Sequence, residues 1–162
     1  MQNKILGLLL VVLLFSCNSS EYFTVSKTLD GFWHKDSIVE FSIEVNDTTQ
    51  LYNCFINIHN TEDYKFDNLF LITSMQFPYG KVVVDTLEYE MAFKDGRLMG
   101  EGIGSLKYNK LWYKENVKFS EQGKYNISIR QATRKAGNVK PLEELSGIEE
   151  VGFSYEPVTT EQ

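Results

Sequence analysis

The first residues with a recognisable chemistry lie in the segment Leu14-Phe15-Ser16-Cys17. An aliphatic residue three positions before a cysteine, with a small residue directly before it, is typical of the lipobox at which bacterial lipoproteins are cleaved. The thiol of Cys17 is the group that a lipid-transferring enzyme would alkylate, and cleavage would leave an amino terminus that carries fatty acyl chains such as palmitate. Ordinary secretion with a coincidental cysteine is the alternative.

The residues before Cys17 have the pattern of a signal peptide. Lys4 supplies a positive charge, and the apolar run from Ile5 to Phe15 is shorter than the roughly 20 residues that a membrane-spanning helix requires. We therefore expect residues 1–16 to be removed and residues 17–28 to form a lipidated amino terminus and polar tether. Residues 29–156 are then long enough for one domain, and residues 157–162 are expected to be a frayed tail.

Candidate catalytic residues are few. A serine or cysteine hydrolase needs a base beside its nucleophile, and the two histidines, His34 and His59, lie in no recognisable nucleophile motif. Cys54 falls in an alternating strand pattern, where a lone cysteine is usually a small buried apolar residue. The sequence therefore predicts no catalytic residues and no enzyme activity.

The sequence also predicts no metal, cofactor or nucleic-acid site. Two histidines and one buried thiol cannot complete a zinc site, and the acidic segment 60–67 lacks the spacing of a calcium loop. Gly100, Gly102 and Gly104 lack the Lys-Ser/Thr of a phosphate loop, so we expect them on one face of a strand, where another group can lie close. The formal net charge of −6 argues against nucleic acid as a partner.

Apolar residues recur with a period of two along most of the chain, which predicts strands. The predicted strands are residues 38–45, 52–58, 69–77, 81–93, 97–106, 111–119, 124–130 and 149–156. The first two are expected to be adjacent antiparallel partners, and a bulge is expected near Asp85-Thr86, where the apolar parity changes. The segment Leu142-Glu143-Glu144-Leu145 is expected to form one helical turn.

The segments between the predicted strands carry turn signals. Phe77-Pro78-Tyr79-Gly80 and Asp95-Gly96 predict tight turns, and Tyr125 is expected to tie a corner through its hydroxyl group. About eight short strands, with no long helical period, predict an all-β fold. The expected architecture is an antiparallel β-sandwich, either immunoglobulin-like or jelly-roll-like, that follows a lipoprotein signal peptide.

A candidate partner surface lies on the predicted strand Leu111–Phe119. Its apolar residues share one parity, which leaves Trp112, Lys114 and Lys118 on the opposite face. Tryptophan is enriched among the interface residues that carry most of the binding energy, and flanking lysines can steer an acidic partner or headgroup. The alternative is a Trp112 that packs under a loop or against the glycines, with lysines that only protect an edge strand.

Five segments of the chain carry a family resemblance. They are Gly31 to Asp36, Tyr52 to Ile58, Asn68 to Leu71, Lys81 to Met91 and Lys110 to Val117. In these segments, and in their order, the chain resembles the GldH family, the gliding motility lipoproteins of the Bacteroidetes, from about Asp30 to Phe153. The blocks Asp-Thr-Leu-Glu-Tyr-Glu-Met and Leu-Trp-Tyr-Lys-Glu-Asn are the specific ones.

The resemblance implies a membrane-anchored, non-catalytic accessory of the gliding apparatus, which is tied to the type IX protein secretion machinery. It maps the family's lipidated residue onto Cys17 and implies contacts with gliding or secretion proteins. The expected location is the cell envelope, on the outer membrane and facing the periplasm. The rival hypothesis is an envelope carbohydrate- or peptidoglycan-binding module, since sandwiches with exposed aromatic residues often hold glycans. No small-molecule substrate is indicated.

The lipobox makes a prediction about membrane attachment. Cys17→Ala should release the protein from the membrane, because acyl chains contribute about 0.8 kcal/mol per buried methylene group and a polar tether contributes almost nothing. The measurement is membrane fractionation of cells that express either form. A variant that stays with the membrane through washes at high salt would contradict the lipobox assignment.

Overall fold

The computed structural model describes residues 22–159, so the predicted signal peptide and Cys17 lie outside the described residues. Alternating apolar and polar residues give this part of the chain its strands, as in Val39–Val45, where every second side chain is buried. The strands are β1 (Phe23–Thr28), β2 (Phe32–His34), β3 (Val39–Val45), β4 (Leu51–Asn60), β5 (Asn68–Gln76), β6 (Val82–Glu90), β7 (Lys107–Lys118), β8 (Gly123–Gln131), β9 (Glu144–Ser146) and β10 (Ile148–Pro157). Within residues 22–159, no helix is long and apolar enough to cross a membrane.

Two four-stranded antiparallel sheets form the domain. Sheet I has the strand order β1-β10-β4-β7, and sheet II has the order β3-β8-β5-β6. The short strands β2 and β9 pair with each other, with Trp33 opposite Leu145. The predicted antiparallel β-sandwich is confirmed.

The apolar faces of the two sheets meet in one core. Trp33, Tyr64, Tyr125, Phe119 and Phe153 are among its largest fully buried side chains. Burial of a large apolar side chain contributes about 1.5 to 3 kcal/mol, so these residues dominate the stability of the domain. The indole Nε1 of Trp33 donates a hydrogen bond to the carbonyl oxygen of Ser37 at 2.9 Å, which satisfies its polar atom.

A chain of aromatic rings crosses the core at the end of the sandwich where β1 begins. The rings belong to both sheets and to the connections between them, and neighbouring centroids lie 5.0 to 5.8 Å apart. In order of contact, the rings are those of Phe23, Tyr155, Tyr52, Phe119, Tyr125 and Phe77. Because such pairs add stability beyond the area they bury, this ring chain joins β1 firmly to the rest of the domain.

Side-chain contacts join the two sheets between their edge strands β6 and β7. The carboxylate Oδ2 of Asp85 accepts a hydrogen bond from the hydroxyl of Tyr113 at 2.8 Å and lies 2.9 Å from the Nζ of Lys114. The hydroxyl of Tyr89 donates to the carbonyl oxygen of Trp112 at 2.8 Å. We call Asp85, Tyr113 and Lys114 the edge clamp, since they hold the two sheet edges together.

Several sequence predictions are confirmed at the turns and in the core. Gly80 N donates to Phe77 O, and Gly96 N donates to Phe93 O, as expected for tight turns at these two places. The hydroxyl of Tyr125 accepts from Glu121 N and donates to Glu121 O, so it ties the corner before β8. Cys54 is fully buried, as predicted for a small apolar residue.

The amino-terminal boundary and the first strand pair are corrected by the structure. The tether was expected to run through Thr28, but Phe23–Thr28 form β1, which pairs with β10 along its whole length. The two strands predicted to pair, β3 and β4, lie in different sheets, and residues 46–50 cross from one sheet to the other. At the other end, β10 continues to Pro157, and Val158 N donates to Leu51 O, so the predicted tail begins later.

Three further predictions were wrong for local reasons. Residues 97–106 form no strand, because the glycines there take positive φ angles and a Cβ at Gly102 would lie 2.2 Å from Leu106 O. Gly100 and Gly102 do let another backbone lie close, as predicted, whereas a Cβ at Gly104 would meet nothing within 4 Å. No bulge occurs near Asp85-Thr86, where the pairing of β5 with β6 is regular. The expected helical turn at residues 142–145 instead contributes to β9.

The edge clamp predicts how stability depends on pH. Burial raises the pKa of Asp85, but the hydrogen bonds from Lys114 and Tyr113 outweigh it, and the net shift is downward. A carboxyl group with a lowered folded-state pKa stabilises the fold above its ordinary pKa of about 3.9, and that contribution is lost as the pH falls through the folded value. Asp85→Asn should therefore cost about 1 to 2 kcal/mol at neutral pH.

Chemical denaturation of both proteins across the acid range measures this effect. The difference between wild type and Asp85→Asn should shrink as the pH falls below about 4. Asp95→Asn is the control, because Asp95 pairs with Arg97 on an exposed turn. A loss of stability at Asp85 that is the same at every pH would show that the ion pair is not its cause.

Candidate functional site

Trp112 lies on the outer face of β7, with 51% of its surface exposed. Its ring packs on that of Phe55 from β4, with a centroid distance of 4.5 Å. The alternative of a tryptophan covered by a loop therefore does not hold. An exposed tryptophan with one side supported by a buried phenylalanine is a rigid apolar surface that a partner can cover.

The pairing of β4 with β7 places further aromatic and basic side chains beside Trp112. Phe55 is opposite Trp112, Asn57 is opposite Lys110, and His59 is opposite Tyr108. The rings of His59 and Tyr108 meet edge to face at 4.5 Å, and Tyr108 keeps 45% of its surface exposed. We call Tyr108, Lys110 and Trp112, with Phe55 and His59 beneath them, the aromatic face.

On the side of β4 that faces away from β7, small and polar residues of β10 extend the outer face of sheet I. Gly152 lies opposite Asn57, and a Cβ at Gly152 would come within 2.8 Å of Val25 O. A groove of about 530 Å³ lies beside these strands, and its lining includes Asn57, Tyr108 and Lys110. The amide of Asn57 donates to Ser154 Oγ at 2.9 Å, so polar groups border the groove in fixed positions.

Charged side chains on the aromatic face are paired with acids of β10. Lys110 Nζ lies 4.2 Å above the ring of Phe55 and forms an ion pair with Glu156. His59 Nδ1 lies 3.3 Å from Glu150 Oε1. These pairs are partly exposed, so each contributes little to stability, but together they orient the side chains and balance the local charge.

The three residues predicted for the partner surface do not lie together. Lys114 turns toward β6 and belongs to the edge clamp, while Lys118 lies opposite Leu51 at the end of β7. Lys118 is separated from Trp112 by the length of four residues of β4, from Phe55 to Leu51, or roughly 14 Å. The structure therefore gathers Trp112 with Tyr108 and Lys110, and it removes Lys114 from the surface that was predicted.

Irregular pairing in β7 explains where Lys114 points. The register between β4 and β7 shifts on both sides of the Cys54–Lys114 pair, so β7 accommodates two extra residues. Asn116 has a positive φ of 51°, and its N–H donates to Asn53 Oδ1 at 3.0 Å. Two bulges restore the original alternation, which is why Leu111, Val117 and the predicted inward parity still face the core.

Sequence reasoning missed most of the aromatic face. Tyr108 shares the parity of Trp112, and that signal was available once β7 is extended to Lys107. Phe55 shares the parity of the polar residues Asn53, Asn57 and His59 in β4. Its position under Trp112 depends on a strand pairing that no local pattern specifies. The acids Glu150 and Glu156 come from β10 and meet β4 and β7 only in the folded sheet.

The groups considered for catalysis are separated in the structure. Burial raises the pKa of Cys54 to about 12, and its thiol points into the core, whereas His59 lies on the outer face of the same strand. His34 accepts a hydrogen bond at Nδ1 from Asp36 N at 3.2 Å and lies near Glu143. Among residues 22–159, no group of three His, Cys, Asp or Glu side chains could hold a metal ion.

Comparisons with known proteins agree with the sequence resemblance. The family model for GldH lipoproteins matches residues 21–154. The chain is 49% identical over 146 residues to a gliding motility lipoprotein GldH homolog of Christiangramia forsetii, covering 90% of each chain. It is 46% identical over 155 residues to the gliding motility lipoprotein GldH of Flavobacterium johnsoniae, covering 96% of each chain.

Similarity to solved structures is weak. A subviral particle of the infectious bursal disease virus protein VP2 matches 88% of this chain and 34% of that chain, with 17% identity and a TM-score of 0.41. A similarity at this level says nothing about function. The family model and the two relatives each span most of the chain, and they show that it belongs to the GldH lipoprotein family.

Proposed function

We propose that this protein is a lipid-anchored component of the cell envelope that supports gliding motility without catalysing a reaction. Its membership of the GldH lipoprotein family carries the proposal, since two relatives that match nearly its whole length are named for gliding motility. Acyl chains on Cys17 would hold it to the membrane, on the outer membrane and facing the periplasm. Its task there is to bind proteins of the gliding or type IX secretion machinery.

The aromatic face is the surface proposed to make these contacts. Trp112 and Tyr108 are each about half exposed, and their supported rings lose little conformational freedom when a partner covers them. Lys110 and His59 already have acidic neighbours, so the face offers no excess of lysines. The partner is therefore bound through apolar contact and hydrogen bonds, with little long-range steering by charge.

A glycan-binding role is the second candidate. The groove is lined by the amide of Asn57, the ring of Tyr108 and the ammonium group of Lys110, which are groups that bind sugars. Purified protein should then be retained on peptidoglycan, and Trp112→Ala or Tyr108→Ala should abolish retention. If the face binds a protein instead, the wild-type protein should not be retained on peptidoglycan. Trp112→Ala and Tyr108→Ala should then still lose the motility function.

Complementation tests the motility role directly. We expect this chain, expressed in Flavobacterium johnsoniae that lacks its own GldH, to restore spreading on agar, because the two proteins are 46% identical across nearly their whole length. Normal accumulation of the protein in the membrane fraction is the required control. A protein that accumulates normally but restores neither spreading nor secretion of surface proteins would refute the proposed role.

Substitution of Trp112 separates binding from folding. Trp112→Ala should cost at most about 1 kcal/mol of stability, since its ring is half exposed, whereas Trp33→Ala should cost about 3 to 5 kcal/mol. Trp112→Ala should nevertheless lose complementation. Val84→Ala is the matched control, because Val84 is 62% exposed on the outer face of sheet II and should keep full activity. Equal spreading with both variants would place the binding surface elsewhere.

A further inference from the structure

Three loops and the start of β1 lie at the same end of the sandwich. In sheet I, Leu51 is opposite Lys118, and Tyr52 is opposite Pro157, so β4 and β1 begin where β7 and β10 end. In sheet II, Val45 is opposite Gly123, and Gln76 is opposite Val82. We call this the proximal end, and its loops are residues 46–50, 77–81 and 119–122.

We infer that the proximal end rests on the headgroup layer of the membrane that holds the lipid anchor. The inference rests on the proposed acylation of Cys17. Only five residue steps separate Cys17 from Tyr22, and a fully extended chain covers at most about 3.6 Å per step, or roughly 18 Å in total. The start of β1 therefore stays within that distance of the membrane surface.

The exposed side chains of the proximal end suit a membrane interface. Tyr79 is 80% exposed at the tip of its turn, and Leu51 and Val82 are 40% and 52% exposed. Tyrosine is enriched where hydrocarbon meets water, because its ring is apolar and its hydroxyl is polar. These three residues supply apolar area beside the anchor without forming a span of their own.

The charges of the proximal end favour anionic headgroups. Lys81, Lys118 and Lys124 are exposed there, although the whole chain has a formal net charge of −6. The acids of these loops are engaged locally. Asp47 Oδ1 accepts hydrogen bonds from Thr49, and Glu121 Oε2 accepts from Tyr79 N at 2.9 Å. Lys124 lies opposite Glu44 in the pairing of β3 with β8, whereas Lys81 and Lys118 can meet phosphate groups, each contributing about 1 kcal/mol near an anionic surface.

Packing holds Tyr79 in place at this end. The turn that carries it is fixed by the ring of Phe77, which contacts Tyr125 at 5.0 Å, and by Lys81 Nζ, which lies 5.1 Å above Phe77. The hydrogen bond from Tyr79 N to Glu121 joins the turn to the loop before β8. Contact with the membrane therefore requires no rearrangement of the loops.

This orientation also places the aromatic face. β7 runs from Lys107 at the far end to Lys118 at the proximal end, so Trp112 lies about halfway up the flank of the domain. Trp112 and Lys118 pair with Phe55 and Leu51, four residues apart on β4, which corresponds to roughly 14 Å and keeps Trp112 clear of the headgroups. A protein partner in the same envelope compartment can then reach Trp112 and Tyr108 from the side.

Site-specific fluorescence on the acylated full-length protein tests the inference. Cys54 is fully buried with a raised pKa, so one introduced cysteine can be labelled selectively. The probe replaces Tyr79 (Tyr79→Cys) or, as the matched control, Ile103 (Ile103→Cys), which is 96% exposed in the loop at the opposite end. Both proteins are reconstituted into vesicles of phosphatidylethanolamine and phosphatidylglycerol that contain headgroup spin labels.

The expected result is a blue-shifted, strongly quenched probe at position 79 and an unquenched probe at position 103. Equal quenching at the two positions, quenching at 103 alone, or none at either would overturn the proposed orientation. Flotation of the vesicles reports anchoring separately, so a protein that floats without quenching at 79 is anchored but differently oriented. Adding Cys17→Ala to the position 79 variant should abolish quenching, which excludes collisions of free protein with lipid.

Discussion

The ring chain from Phe23 to Phe77 is the packing on which the rest of the structure depends. It includes residues from β1, β4 and β10 of sheet I, from β8 of sheet II, and from the connections at the same end. Because β1 has few buried residues of its own, the stacked contact of Phe23 with Tyr155 at 5.2 Å adds to the backbone pairing with β10 in holding it to the domain. The same contact fixes where the proposed anchor joins the fold.

The two edges of sheet I therefore have different tasks. β1 is the strand to which the proposed anchor would be joined, while β7 is closed against sheet II by the edge clamp and presents its outer face to solvent. The bulges in β7 make this possible, since they turn Lys114 toward Asp85 and leave Trp112 and Lys110 facing outward. A strand of strict alternation would have left the Asp85 carboxylate without its lysine.

Alternation of apolar residues was sufficient to predict the fold class and seven of the ten strands of residues 22–159 to within a few positions. It failed where a strand depends on distant partners. β1 and β9 are short and have few apolar residues, and only their pairing with β10 and β2 makes them strands. The change of parity in β6 was interpreted as a bulge, although Asp85 faces inward because Lys114 and Tyr113, nearly thirty residues away, satisfy it.

Trp112 was the only residue of the candidate site that the sequence predicted correctly. Trp112 stood out by its type and parity, but the residues that support and surround it come from β4 and β10 and are selected by register. Lys114 and Lys118 were chosen by the same parity rule, which ignores bulges and the length of the strand. The anchor at Cys17 stays a prediction from local chemistry, and Cys17 lies outside the described residues.

Photocrosslinking in living cells tests the central claim that the aromatic face binds a protein partner. A photoreactive amino acid would replace Tyr108, at the aromatic face, or Val84, on the outer face of sheet II, in a chain that supports gliding. The account predicts a discrete adduct with a protein of the gliding or secretion machinery from position 108 and none from position 84. The absence of an adduct at position 108, or the same adduct from both positions, would contradict it.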